Sequence, residues 1–142
     1  MTFRISLLLG SLLAVLPLAN RCTAQSDAGK PLRIGIIGLD TSHVPAFTKT
    51  FNNEPADSQL EGMRVVAAFP GGSQDIASSR DRVAGFTADL QELGVEIVDS
   101  VEALLPKVDA VLLESVDGRK HLEQALPVFK AGKPVFIDKP LA

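Results

Sequence analysis

Acids, imidazoles and a few basic side chains gather in three short stretches, each placed just after an apolar run. GLDTSH, residues 38–43, sets Asp40 and His43 behind Gly38; residues 114–121 hold Glu114, Asp117, Arg119 and His121; and Asp138-Lys139-Pro140 comes last. A glycine turn that leads from a strand into a helix aims backbone N–H groups at an anion, the arrangement that holds the phosphates of a dinucleotide. Carboxylates beside imidazoles suit a metal ion, sugar hydroxyls or proton transfer. A fourth stretch, PGGS at residues 70–73, ends in Ser73. Its backbone N–H groups and hydroxyl suit a phosphate, with Arg80 or Arg82 nearby, or else they make a plain tight turn.

Each feature has a structural reading beside the functional one. Gly38 serves any tight strand-to-helix turn as well as a phosphate loop, whose second and third glycines are replaced here by Asp40 and His43. Asp40, Thr41 or Ser42 suits a helix N-cap, where a carboxylate takes the same N–H groups that a pyrophosphate would use. In the alternative, Asp40 and His43 face a ligand. The acids and the two histidines follow no fixed ligand spacing, so no metal site is expected and the rim charges are expected to be solvated.

These residues must be positioned by the apolar pattern around them. Strand-type runs cover residues 32–37, 63–69, 95–98, 109–116 and 134–137, and helical spacing covers 43–52, 76–93, 101–105 and 122–130. Pro106 is expected to stop the third helix, and Gly132 the fourth. Strands alternating with helices predict an α/β fold with a doubly wound parallel sheet. Such a sheet collects its ligand residues beyond the carboxyl ends of its strands, so all the stretches above project toward one rim.

Composition narrows the possibilities. The 142-residue chain is 22% charged and 46% hydrophobic with a net charge of −3, which suits one globular domain and provides no basic footprint for nucleic acid. Its first 24 residues differ from the rest: Arg4 precedes an uncharged stretch over residues 5–18, followed by small and polar residues. That is the layout of a signal peptide cleaved after Ala24. Fourteen residues fall short of the roughly 20 that span a bilayer, so no stable membrane anchor is expected. Cleavage would remove Cys22, Arg4 and Arg21, leaving an exported, cysteine-free chain of 12 basic and 17 acidic residues. Residues 25–31 read as a linker.

From Asp109 onward, "DAVLLESVDGRKHLEQALPVFKAGKPVFIDKPLA" resembles the N-terminal domain of the glucose–fructose oxidoreductase (Gfo/Idh/MocA) family. The likeness lies in a histidine near a helix start (His121), in Ala131-Gly132-Lys133, and in the closing Asp138-Lys139-Pro140; "RIGIIG" at residues 33–38 extends it over most of residues 32–142. The resemblance implies a Rossmann domain that binds NAD or NADP and acts with a small-molecule substrate, a sugar or polyol. It implies Lys139 as the catalytic lysine near nicotinamide and substrate, with Pro140 shaping the loop. Gly38, Asp40, His43, Ser73, Glu114, His121, Asp138 and Pro140 are then the residues expected around the cofactor. Asp138 replaces a glutamate, Asp40 and His43 replace glycines, and no acid follows the second strand.

Family members continue into a substrate domain. The chain is therefore expected to be the cofactor half of an exported oxidoreductase, inactive alone and of open oligomeric state. Two rival readings are a non-redox module that holds a sugar-like ligand through Asp40, His43, Glu114 and His121, and a fragment without independent function.

Overall fold

A computed structural model describes residues 30–53 and 59–138. The expected leader, most of the linker, Lys139 and Pro140 lie outside the described residues. The elements run β1 (Leu32–Ile37), α1 (His43–Asn52), β2 (Met63–Phe69), α2 (Ala77–Glu92), β3 (Glu96–Ile97), α3 (Val101–Leu104), β4 (Ala110–Leu113), α4 (Gly118–Lys130) and β5 (Val135–Ile137). All strand pairs are parallel and the order is β3-β2-β1-β4-β5, the predicted doubly wound arrangement.

Alternation along β1 explains the layers. Ile34 and Ile36 point to one face, where they pack with Val44 of α1 and Leu90 of α2. Ile37 points to the other and packs with Val101 and Leu104 of α3 and with Ala125 and Val128 of α4. Gly35 shares that second face, where a Cβ would meet the Leu104 and Val108 side chains at 3.0–3.2 Å, so close helix packing accounts for it. The β1–β2 register jumps from Ile34↔Val65 to Gly35↔Ala67, skipping Val66, and the consecutive Val66 and Ala67 both pack against one core while Val65 and Ala68 join the other. Asn52 ties the end of α1 to β2 by donating to the Val65 carbonyl (2.9 Å) and accepting its N–H (2.8 Å).

Several boundaries differ from expectation. Pro106 does not end the local helix. It sits within a single 3-10 turn, Leu105–Lys107, that continues α3, because the first turn of such a helix needs no N–H from it. The fourth strand is shorter than its apolar run and ends at Leu113, and α4 starts at Gly118, four residues before the expected start. The cause is Asp117, whose side chain accepts from Arg119 N and caps the helix. The outer face of α4 leaves Leu122, Leu126 and Phe129 exposed, as Phe136 is on β5. Among the described residues no helix is long and apolar enough to cross a membrane.

Candidate functional site

The strand order reverses between β1 and β4, and the residues that follow these strands meet there. Gly38 has φ +88°, and a Cβ on it would lie 2.5 Å from the Ser115 backbone nitrogen. Glycine is needed because the loop after β4 presses on the turn after β1. The turn is also drawn to the end of β2: Gly38 N–H donates to Phe69 O (3.0 Å) and Leu39 N–H to Pro70 O (2.7 Å).

Asp40 does not cap α1. It is fully buried, and its Oδ1 accepts the Val116 N–H at 3.1 Å while Oδ2 accepts the Ser79 hydroxyl at 2.5 Å. Ser79 Oγ accepts in turn from Ser73 N–H at 2.8 Å. One carboxylate therefore ties the turn after β1 to the loop after β4 and to the start of α2. At the start of α1 itself, Ser42 makes no side-chain cap bond, and Thr41 Oγ1 only accepts a long 3.4 Å bond from His43 N–H.

A second tie runs beside the first. Ser73 Oγ donates to Asp117 Oδ2 at 2.5 Å, and Asp117 Oδ1 accepts Arg119 N–H (3.1 Å) and Nε–H (2.8 Å). The Arg119 guanidinium also reaches Asp75 at 2.8 Å. Hydrogen bonds from Arg119, then from Ser73, hold the Asp117 carboxyl well below the usual range, and the Asp117 and Asp75 carboxylates raise Arg119 in return. The hydroxyl expected to meet a phosphate is thus committed to Asp117. Arg80, expected near a phosphate, pairs with Asp81 and donates to Gln74 O instead.

The third group was expected to be a solvated rim with two histidines. The two histidines separate. His121 is buried and its Nε2 donates to Ser115 O at 2.6 Å, because the earlier start of α4 places it a turn into the helix and beneath the loop after β4. His43 instead meets Asp138, with 2.5 Å between Nδ1 and Oδ2, and lies 4.0 Å from Glu114 Oε2. Glu114 is not solvated; its side chain is wholly buried.

Ser79, Ser115 and Gln124 complete the site without having stood out in the sequence. Ser115 Oγ donates to Gln124 Oε1 at 2.8 Å, which fixes the loop that crosses Gly38. Beside this loop a cleft of about 340 Å³ lies between the turn after β2 and helix α4, lined by Phe69, Gly71, Ser100, Lys120, Gln124 and Pro127.

A parallel β3-β2-β1-β4-β5 sheet, a glycine turn at the switch point and a cleft beside it define a doubly wound domain of the dinucleotide-binding type. The family model described as an oxidoreductase family with an NAD-binding Rossmann fold matches residues 32–142, and the chain belongs to that family. It is 36% identical over 116 residues to an inositol 2-dehydrogenase of Pseudomonas syringae pv. syringae and 33% over 118 residues to one of Ralstonia nicotianae, in each case covering 78% of this chain and 29% of the relative. Among solved structures it resembles a dehydrogenase (MviM) from Clostridium difficile, with TM-score 0.57, 25% identity and coverage of 80% of this chain and 32% of that one. A UDP-N-acetylglucosamine 3-dehydrogenase from Acidithiobacillus ferrooxidans shares the fold, with TM-score 0.54, 23% identity and coverage of 78% and 29%. The chain spans under a third of the length of these relatives.

The family's nicotinamide cofactor would meet two different halves of this site. The cleft beside Phe69 and Gly71 has room for a nucleoside. The turn after β1 offers a pyrophosphate less room than a full glycine turn, although the start of α1 carries no side-chain cap. Asp40 fills the place of the second glycine with a buried carboxylate, and the N–H groups of Gly38, Leu39 and Val116 are already donated within the protein.

Proposed function

We propose that residues 32–142 are the cofactor-side domain of an oxidoreductase acting on sugars or related polyols, and that NAD or NADP is held mainly through its adenosine half. The observation that carries this reading is the cleft between Phe69, Gly71 and α4, adjoining the Gly38 turn at the strand-order switch. Family membership supports it, as do relatives whose names specify inositol and UDP-N-acetylglucosamine. In this reading Gly38 and Ser73 set the loops behind the cleft, and Asp40 and His121 hold the loops without touching the cofactor. His43, Glu114 and Asp138 lie on the substrate side, and the catalytic role stays with Lys139, as the family resemblance implies.

The test is a calorimetric titration of the chain with NADH, NADPH and AMP. AMP is expected to bind within about tenfold of the better dinucleotide, since little is gained at the pyrophosphate. No binding by any of the three would overturn the proposal. A dinucleotide more than about 100-fold tighter than AMP would show that the turn does take the pyrophosphate.

A second reading, non-redox binding of a sugar-like ligand, rests on Asp40 standing as a buried carboxylate where a phosphate turn carries its second glycine. Saturable sugar binding without nucleotide, alongside a failed NADH titration, would select it. We also propose export with cleavage after Ala24; the intact mass of exported protein is expected to correspond to a chain starting at Gln25.

A further inference from the structure

We propose that His43, Glu114 and Asp138 form a divalent-cation site at the carboxyl edge of the sheet. One donor atom from each residue lies within 4.8 Å of the others. The donors come from three elements: His43 opens α1, Glu114 follows β4 and Asp138 follows β5. The sheet itself sets the two carboxylates. Glu114 N–H donates to Ile37 O at 2.8 Å and Asp138 N–H to Leu113 O at 2.9 Å, so strand pairing continues one residue beyond each strand and fixes where both side chains leave the backbone.

Exposure is graded across the group. The Glu114 side chain is wholly buried, Asp138 is 15% exposed and His43 39%. The cluster is therefore walled by protein at β4 and open toward solvent at His43, which suits an ion with protein ligands on one side and exchangeable positions on the other. Ligands on a tetrahedral zinc ion with bonds of about 2.1 Å stand roughly 3.4 Å apart. The His43 Nδ1 separations, 2.5 Å to Asp138 and 4.0 Å to Glu114, fall on either side of that distance. Side-chain shifts of about 1 Å or less would seat an ion.

On binding, the Nδ1–H bond to Asp138 breaks, its proton passes through solvent to Nε2, and the freed Nδ1 lone pair coordinates the ion. One imidazole with two carboxylates suits Zn²⁺ or Mn²⁺ better than Ca²⁺ or Mg²⁺. The open positions hold water, or adjacent hydroxyls of a sugar-like ligand. This site stands independently of the nucleotide reading.

The experiment titrates the full chain with Zn²⁺ and with Mn²⁺ alone by calorimetry, in a Cys22→Ser background that removes the thiol. One ion per chain is expected, and His43→Ala and Asp138→Asn should each weaken binding by about tenfold or more with unchanged circular dichroism. His43 is partly exposed at a helix start, so its removal leaves both cores intact. X-ray absorption on the zinc-loaded chain is expected to show one imidazole in an otherwise oxygen shell. Substoichiometric binding, an unchanged affinity in His43→Ala, or a zinc shell without imidazole would overturn the proposal. None of these outcomes alters the NADH and AMP titrations.

Discussion

Replacing Asp40 by glycine restores the residue that a phosphate turn ordinarily carries, and the structure sets two opposing consequences. Asp40 accepts two hydrogen bonds in a fully buried position, from Val116 N–H and the Ser79 hydroxyl. Bonds to a carboxylate are worth about 1.5–3 kcal/mol each, and their loss leaves both donors to be satisfied by whatever water enters. Hydration recovers part of the cost, whereas the added backbone freedom of glycine raises it by about 0.5–1 kcal/mol. A net destabilisation of about 3 kcal/mol follows, above the range of a simple cap.

Asp40→Asn keeps an acceptor for Val116 and should lose about 1 kcal/mol. Urea denaturation of the three proteins at constant m-value measures these differences. In the opposite direction, the glycine variant loses a negative charge beside the helix start and frees the Val116 N–H. Its affinity for NADH or NADPH should rise by about tenfold, or 1.4 kcal/mol. If Asp40→Gly unfolds at the same urea concentration as the parent, the ties are not supporting the loops. If it binds dinucleotide more weakly, Asp40 is a cofactor contact and this account of the turn fails.

Three further outcomes follow from the same structure. Gly38→Ala combines a left-handed φ with a Cβ driven into the Ser115 backbone, so a loss of about 2–5 kcal/mol is expected, read as a lower thermal midpoint or insoluble protein. Leu104→Ala empties a fully buried position between Gly35 and Val108 and should cost about 2–5 kcal/mol in denaturant titration. Asp109, hydrogen-bonded by the Arg33 side chain and backbone, has its carboxyl lowered from 3.8 to about 2. Because the folded value is the lower one, this contribution to stability is complete above 3.8 and is lost as pH falls toward 2. The pair is half exposed, so the effect is small, and Arg33→Met should flatten the stability profile in that window by slightly lowering stability at neutral pH while leaving it unchanged at the acid end.

The apolar pattern by itself determined the architecture. Strand β2 and helix α1 begin and end where their periodicities do, since alternation and 3.6-residue spacing record which face each element buries. Gly38 and Gly132 were legible for a similar reason, because backbone that must turn at a strand or helix end leaves a local mark. Membership of the oxidoreductase family was legible in residues 109–142, where the motif spacing is tight.

The roles of the polar residues were decided only by the tertiary structure. Asp40 lies 39 residues from Ser79 and 76 from Val116, and His43 lies 95 from Asp138. Nothing within a helical turn of Asp40 separates a cap from a tie across three loops. His121 was read as a rim residue because its position depends on where α4 starts, which Asp117 decides through a side-chain bond. The crossover connections bring the ends of β1, β2, β4 and β5 to one edge, and contacts made there are between residues distant in the chain. A sequence pattern encodes the face an element buries against the core, whereas the partner of a polar side chain depends on which loops that packing brings together.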